Sequence, residues 1–216
     1  MTPLLLVLSS PSGGGKSTIA GRLLAARDDI GYSISATTRP PRVGEQDGRE
    51  YHFLSPAAFE ARVAAGEFLE HAVYNGQRYG TLLEEVRRVT QGGRHALLDI
   101  EVAGARMVRE RHPDAVLVFL LPPSGKVLVE RLRARGTEGE AEVAGRLEQA
   151  LEELSAAVEY DFVVVNNDLD EAVRKVGEIL DVESHRISRL RNTRMLLDRL
   201  KAEVAAEIAS GTTQAQ

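Results

Sequence analysis

Ser10-Pro11-Ser12-Gly13-Gly14-Gly15-Lys16-Ser17-Thr18 sets three glycines, a lysine and several hydroxyls in one run near the start of the chain. Successive glycines let backbone N–H groups turn inward without Cβ clashes, and a helix starting at the end of such a loop adds its positive dipole end. That is chemistry for the phosphates of a nucleotide. Lys16 is placed to reach the β/γ-phosphates, and Ser17 to offer its hydroxyl to Mg²⁺. The usual spacing has a glycine where Ser10 stands, a small departure. A second group of charges follows. Arg39 and Arg42 flank Pro40-Pro41, with Arg49 nearby, forming a cationic patch on backbone that the prolines stiffen. Asp99 then supplies an acid at the end of an apolar run.

These residues need elements to hold them. Leu4 to Leu8 reads as a short buried strand, and Ile19 to Ala25 has helical apolar spacing, so the glycine loop lies between a strand and a helix. Three further buried strands are expected at 95–100, 115–121 and 162–165, alternating with helices at 82–91, 102–111, 124–135 and 140–159. Such alternation implies a parallel sheet with helices on both faces, and ligands in such sheets bind at the carboxyl ends of the strands. Ser9 to Ser17, Asp99, Pro122 and Asn166 all fall at such ends. Between the first two units the pattern changes. Strands are expected at 32–35, 51–54, 68–74 and 77–80, the last two joined by Asn75-Gly76, with a helix opened by Ser55-Pro56. Residues 35 to about 81 therefore read as a small mixed sheet inserted into the parallel one.

The 216 residues suit one α/β domain with an inserted subdomain. The absence of cysteine excludes a disulfide framework and a thiolate zinc site. A net charge of −5 argues against general binding of nucleic acid or membrane surfaces, and the N-terminal apolar run is too short to span a bilayer. The expectation is a cytoplasmic protein. After about residue 181 the chain reads as helical, with Leu190, Leu197, Leu200, Val204 and Ile208 near one face.

Taken together, the motifs resemble the guanylate kinase family over residues 4 to about 180. The resemblance is carried by 10–17, by Ser35 to Glu45, by Asp47 to Phe53, by Phe68-Leu69-Glu70 and by Tyr79-Gly80-Thr81. It continues through Leu98-Asp99-Ile100, Arg131 to Gly136 and Val165-Asn166-Asn167-Asp168. It implies a P-loop NTPase fold: a three-layer α/β/α core with a central parallel sheet, an inserted GMP-binding mixed α+β subdomain and a helical lid. The corresponding segments are 1–34, 82–131 and 155–180 for the core, 35–81 for the insert, 132–154 for the lid and 181–216 for a C-terminal helical extension. The implied reaction is transfer of the ATP γ-phosphoryl group to GMP, and to dGMP, within purine nucleotide metabolism. The partners are then these small molecules, with neither nucleic acid nor membrane, on a monomer or homo-oligomer.

The resemblance also implies roles. Ser10 to Thr18 and Asn166 would bind ATP. Arg39, Arg42, Tyr51 and Tyr79 would hold the GMP phosphate, a dianion that suits paired, permanently charged guanidiniums. Glu70 would accept from the guanine N1–H and 2-amino group, and Ser35 and Thr81 would supply hydroxyls to the base. The family often has serine at position 81. Asp99 would contact the nucleotide or, with Ser17, orient Mg²⁺ through water. The family usually has a second aspartate where Glu101 stands, and the role of Glu101 stays open. Lys16, Arg39 and the arginines flanking the 136–139 break, Arg131, Arg135 and Arg146, would stabilise the transferring group. Two rivals remain: a related P-loop kinase acting on ribose 1,5-bisphosphate, and a non-catalytic guanylate-kinase-like binding module.

Overall fold

A computed structural model describes residues 2–74, 76–134, 140–189 and 193–213. The chain opens with strand β1 (Leu5–Ser9), helix α1 (Lys16–Ala26) and strand β2 (Ile30–Tyr32). It then leaves the core for β3 (Ser35–Thr37), β4 (His52–Phe53), α2 (Pro56–Ala64), β5 (Phe68–Tyr74) and β6 (Gln77–Leu82). It returns through α3 (Leu83–Gln91), β7 (His95–Asp99), α4 (Val102–Arg111) and β8 (Val116–Leu121). Next come α5 (Gly125–Ala134), α6 (Glu140–Ser155), β9 (Phe162–Val165), α7 (Leu169–Ser184) and α8 (Thr193–Thr213).

The core sheet has five strands in the order β2-β7-β1-β8-β9, and every pairing is parallel. β1 lies at the switch point, because the chain goes to β2 and β7 on one side and to β8 and β9 on the other. A crevice opens there at the carboxyl ends. Nearly continuous apolar runs such as Val116–Leu121 fit burial on both faces. On one face Leu6, Leu8, Val118 and Leu120 pack with Ile19, Leu23, Val176 and Leu180 of α1 and α7. On the other, Val7, Leu98 and Leu117 pack with Val89, Ala105 and Val108 of α3 and α4.

The insert is a four-stranded sheet in the order β4-β3-β6-β5. Here the segment expected as one strand over 32–35 proves to be two. Tyr32 ends β2 in the core, Ser35 begins β3 in the insert, and Ser33 and Ile34 form the joint. Leu82, expected to start a helix, ends β6, and the 51–54 strand shrinks to His52–Phe53. The joint is held by Glu85 of α3, 7% exposed, which accepts from Ile34 N–H at 3.2 Å and pairs with Arg88 at 2.7 Å and with His52 of the insert at 3.3 Å. The helix expected over 140–159 ends at Ser155 and continues as a 3-10 turn, Ala156–Glu159. Asn75 and Leu190 lie outside the described residues, as does the whole of the 136–139 break. In α8, Leu197, Leu200, Val204 and Ile208 are exposed. Among the described residues no helix is long and apolar enough to cross a membrane.

Candidate active site

The loop between β1 and α1 closes with Gly14 N–H donating to Pro11 O at 2.8 Å. Gly13 and Gly15 have φ of 81° and 91°, left-handed values that only glycine adopts without strain. Lys16 begins α1, so the loop amides and the helix N-terminus face the same space. That space is a cleft of about 270 Å³ lined by Ser10 through Ser17 on one side and by the insert on the other. Asn166, just after β9, supports the loop from beneath by donating from Nδ2 to Gly14 O at 3.0 Å.

Lys16 Nζ donates to Glu101 Oε1 at 2.9 Å and lies 3.4 Å from Asp99 Oδ1. Burial alone would lower the lysine pKa, but these two carboxylates outweigh it and the net shift is upward. Lys16 is therefore a fixed cation. Glu101, whose role the sequence left open, is the nearer of the two acids to Lys16, at 2.9 Å against 3.4 Å for Asp99.

The insert contributes the opposite wall. Its register pairs Ser35 of β3 with Thr81 of β6, and Thr81 with Glu70 of β5, so three strands bring these side chains into one row. A register shift between Phe68 and Glu70 turns the carboxylate toward Thr81, the re-aiming that a β-bulge provides. Thr81 Oγ1 donates to Glu70 Oε1 at 2.7 Å. Ser35, Thr81 and Glu70 are all buried. Burial pushes the Glu70 pKa up to about 7, against hydrogen bonds from Thr81 that favour its charged form. Gly104 of α4 leaves the room, since a Cβ there would overlap the Glu70 carboxylate. Sequence reasoning missed Gly104, because only a fold packing α4 against β5 reveals the need for it.

The cationic segment is tied by its own acid. Arg39 Nη2 donates to Glu45 Oε1 at 2.9 Å, and Arg42 N–H donates to Glu45 Oε2 at 2.7 Å. The Arg39 guanidinium lies over the Tyr51 ring at 5.4 Å, and Tyr51 meets Tyr79 edge-on at 6.0 Å. Arg42, Tyr51, Tyr79 and Asp99 line the cleft with Ser35 and Glu70, whereas Thr81 does not line it and reaches it through its bond to Glu70. Arg39 does not line the cleft.

On the far side, Arg131 of α5 reaches over the loop, its Cβ 3.6 Å from where a Gly13 Cβ would be. Its Nη1 is buried with no hydrogen-bond partner, an orphaned donor beside an anion cradle. Arg146 is half-buried on α6, Thr18 is exposed on α1, and Arg135 lies outside the described residues. Glu153 of α6, which sequence reasoning did not single out, accepts from Ser12 N–H at 2.7 Å.

Among the described residues no group of three or more His, Asp or Glu side chains could hold a metal by itself. Ser17 and Asp99 nevertheless both line the phosphate cleft. That donor set suits Mg²⁺, which is commonly held by one or two protein oxygens, waters and the substrate's own phosphates.

The sequence model described as Guanylate kinase matches residues 2–192. The chain is 48% identical over 197 residues to a guanylate kinase of Symbiobacterium thermophilum, covering 91% of this chain and 92% of that protein. It is 45% identical over 172 residues to a guanylate kinase of a Nostoc species, covering 80% and 86%. The crystal structure of guanylate kinase from Anaplasma phagocytophilum superimposes with a TM-score of 0.76 at 33% identity, covering 92% of this chain and 95% of that one.

Proposed function

The chain belongs to the guanylate kinase family, and from that premise we infer that it transfers the γ-phosphoryl group of ATP to GMP, giving ADP and GDP. The observation that carries the reading is that the phosphate loop with Lys16 and the buried Glu70 face each other across one cleft. One wall suits a nucleoside triphosphate and the other a guanine base.

In this assignment Ser10 to Thr18 cradle the ATP phosphates, and Asn166 buttresses the loop. Arg39, Arg42, Tyr51 and Tyr79 hold the GMP phosphate. Glu70, in its charged form, accepts from guanine N1–H and the 2-amino group. Adenine would set its acceptor N1 against that carboxylate, which is costly in a buried site. Ser35 donates its hydroxyl to the base. Thr81 fixes the Glu70 carboxylate in the free protein and can turn its hydroxyl to guanine O6 when the base takes over that carboxylate. The segment 35–81 thus serves as the acceptor subdomain and 132–154 as the lid, on the core formed by 1–34, 82–131 and 155–180.

The GMP phosphate oxygen attacks the γ-phosphorus in line, and the bond to the β,γ-bridging oxygen breaks. Positioning and electrostatics supply most of the catalysis, because charge spreads over equatorial oxygens in the transition state. Lys16 neutralises part of that charge, and entering phosphates take over the place that Glu101 and Asp99 now hold. Arg131, Arg135 and Arg146 approach the transferring group from the lid side and help exclude water. Ser17 and Asp99 would hold Mg²⁺, which when bound would supply further charge neutralisation on the phosphates. We also assign dGMP as an acceptor and the cytoplasm, in purine nucleotide metabolism, as the setting.

A coupled ADP-release assay with GMP, AMP, UMP and ribose phosphates at equal concentration tests the reading. GMP is expected to be preferred by at least about a hundredfold over AMP, as a site that pairs polar groups on a base discriminates. Equal rates with AMP or with a ribose phosphate would overturn it. The intact Gly15-Lys16-Ser17 speaks against a non-catalytic binding module, and the buried Glu70 against a sugar phosphate acceptor.

A further inference from the structure

Backbone amides in a phosphate loop form a cradle for anions. In this chain the protein itself already engages one of them. Ser12 N–H donates to Glu153 Oε2 at 2.7 Å, across a separation of 141 residues. The carboxylate is 7% exposed, and its other oxygen accepts from Gln149 Nε2 at 2.9 Å. Burial pushes its pKa up, Glu101 adds to that push, and the Ser12 N–H opposes it. An acid is thus kept beside a site built for negative charge, where a neutral residue would meet no such penalty.

The position of Glu153 suggests why. Its helix, α6, packs on α5 through Leu128, Leu132, Leu147, Ala150 and Leu154. Whatever fixes α6 to the loop therefore also fixes α5 over it. Arg131 is on α5, its Nη1 buried and unpartnered, 4.0 Å from where a Gly15 Cβ would be. We propose that Glu153 is a positioning residue whose carboxylate latches the α5–α6 pair to the phosphate loop, holding the Arg131 guanidinium above the loop for the transferring phosphoryl group. Three contacts form one chain: Ser12 to Glu153, α6 to α5, and Arg131 to the loop. Glu153 touches no substrate in this role. The inference rests on the phosphotransfer reading above and adds to it a residue that acts on the ATP side alone.

The test measures kcat and both KM values for E153A, E153D and E153Q, in the wild-type and R131A backgrounds. E153A is expected to lower kcat/KM for ATP by about ten- to a hundredfold, the range for losing a charged hydrogen bond, with KM for GMP within about twofold. E153Q keeps an oxygen for Ser12 N–H and is expected to recover most of the loss. E153D, one methylene short, is expected to behave as E153A and gives the same readout should E153A fail to fold. In R131A, E153A is expected to cost less than about twofold, because the latch then has no guanidinium to hold. The proposal is overturned if both KM values rise together, if E153Q is as poor as E153A, or if the full E153A cost persists in R131A. A wild-type chain inactive on GMP would instead refute the activity reading. The latch would then be judged by calorimetric ATP affinity, with E153A expected to be weaker and E153Q not.

Discussion

Glu70 is where function and stability pull in opposite directions, and Glu70→Gln separates them. The buried carboxyl is pushed from an ordinary 4.5 up to about 7, chiefly by loss of water. A folded-state pKa above the unfolded one means that the folded protein binds the extra proton between those values. The associated stability is fully present below about pH 4.5 and is lost as the pH rises through about 7. At pH 8 the folded chain bears the whole cost of a buried carboxylate, on the order of 3 kcal/mol. Glutamine carries no charge, and its amide oxygen can still accept from Thr81. E70Q is therefore expected to melt higher than the wild type at pH 8, by roughly 5–10 °C for a chain of this size, with the difference closing as the pH falls to 5. Affinity for GMP should move the other way. Only the charged carboxylate accepts both guanine donors, so wild-type affinity is expected to fall roughly tenfold from pH 8 to pH 6, as the competent fraction drops. The GMP phosphate also titrates near this range, but it does so equally for both proteins. The informative quantity is thus the ratio of wild-type to E70Q affinity by calorimetry at each pH. That ratio should be about a hundredfold or more at pH 8 and shrink on acidification. A ratio that stays flat, together with equal melting temperatures at pH 8, would refute the reasoning.

Lys16→Ala is expected to lower kcat by about a hundred- to a thousandfold, the scale for removing a preorganised charge from the transition state. At pH 8 its GMP affinity should stay within about threefold, read by calorimetry; unchanged turnover would remove Lys16 from the chemistry. Gly104→Ala would push a methyl into the Glu70 carboxylate. A rise of about tenfold in KM for GMP with KM for ATP unchanged is expected, alongside a stability loss of about 1–3 kcal/mol in urea unfolding. Glu85→Ala removes the acid that joins the insert to the core. Burial would raise the pKa of Glu85, but Arg88, Ile34 N–H and His52 together lower it. Its contribution is therefore present above the ordinary carboxylate range and lost as the pH falls through its depressed folded value. E85A is expected to cost about 1–3 kcal/mol at pH 7, and the gap should narrow in acid, below the ordinary carboxylate range.

Some of this protein is written locally. The phosphate loop needs only consecutive residues: glycines at 13 and 15 for left-handed backbone, Lys16 at the helix start, and an apolar strand before them. Those requirements are met within a few residues of chain, so the sequence alone identifies the loop and the parallel core around it. The family resemblance extended this to Glu70, Ser35 and Thr81 as residues, but not to their arrangement. Their common row depends on how β3, β6 and β5 align, and on a one-residue irregularity in β5 that flips which side chain faces Thr81. Period-two patterning cannot announce such a shift. The same holds for the joint at Ser33 and Ile34, where an apparently continuous strand divides between two sheets. Gly104 matters only because α4 packs on β5, and Glu101 only because the fold brings it to Lys16 across 85 residues. Glu153 is one glutamate among many in a charged helix until α6 is laid against the loop. Local backbone requirements are set by neighbours in the chain and can be read there. Which acid sits buried, which oxygen meets which N–H, and which glycine gives up its space are decided by close packing between distant segments.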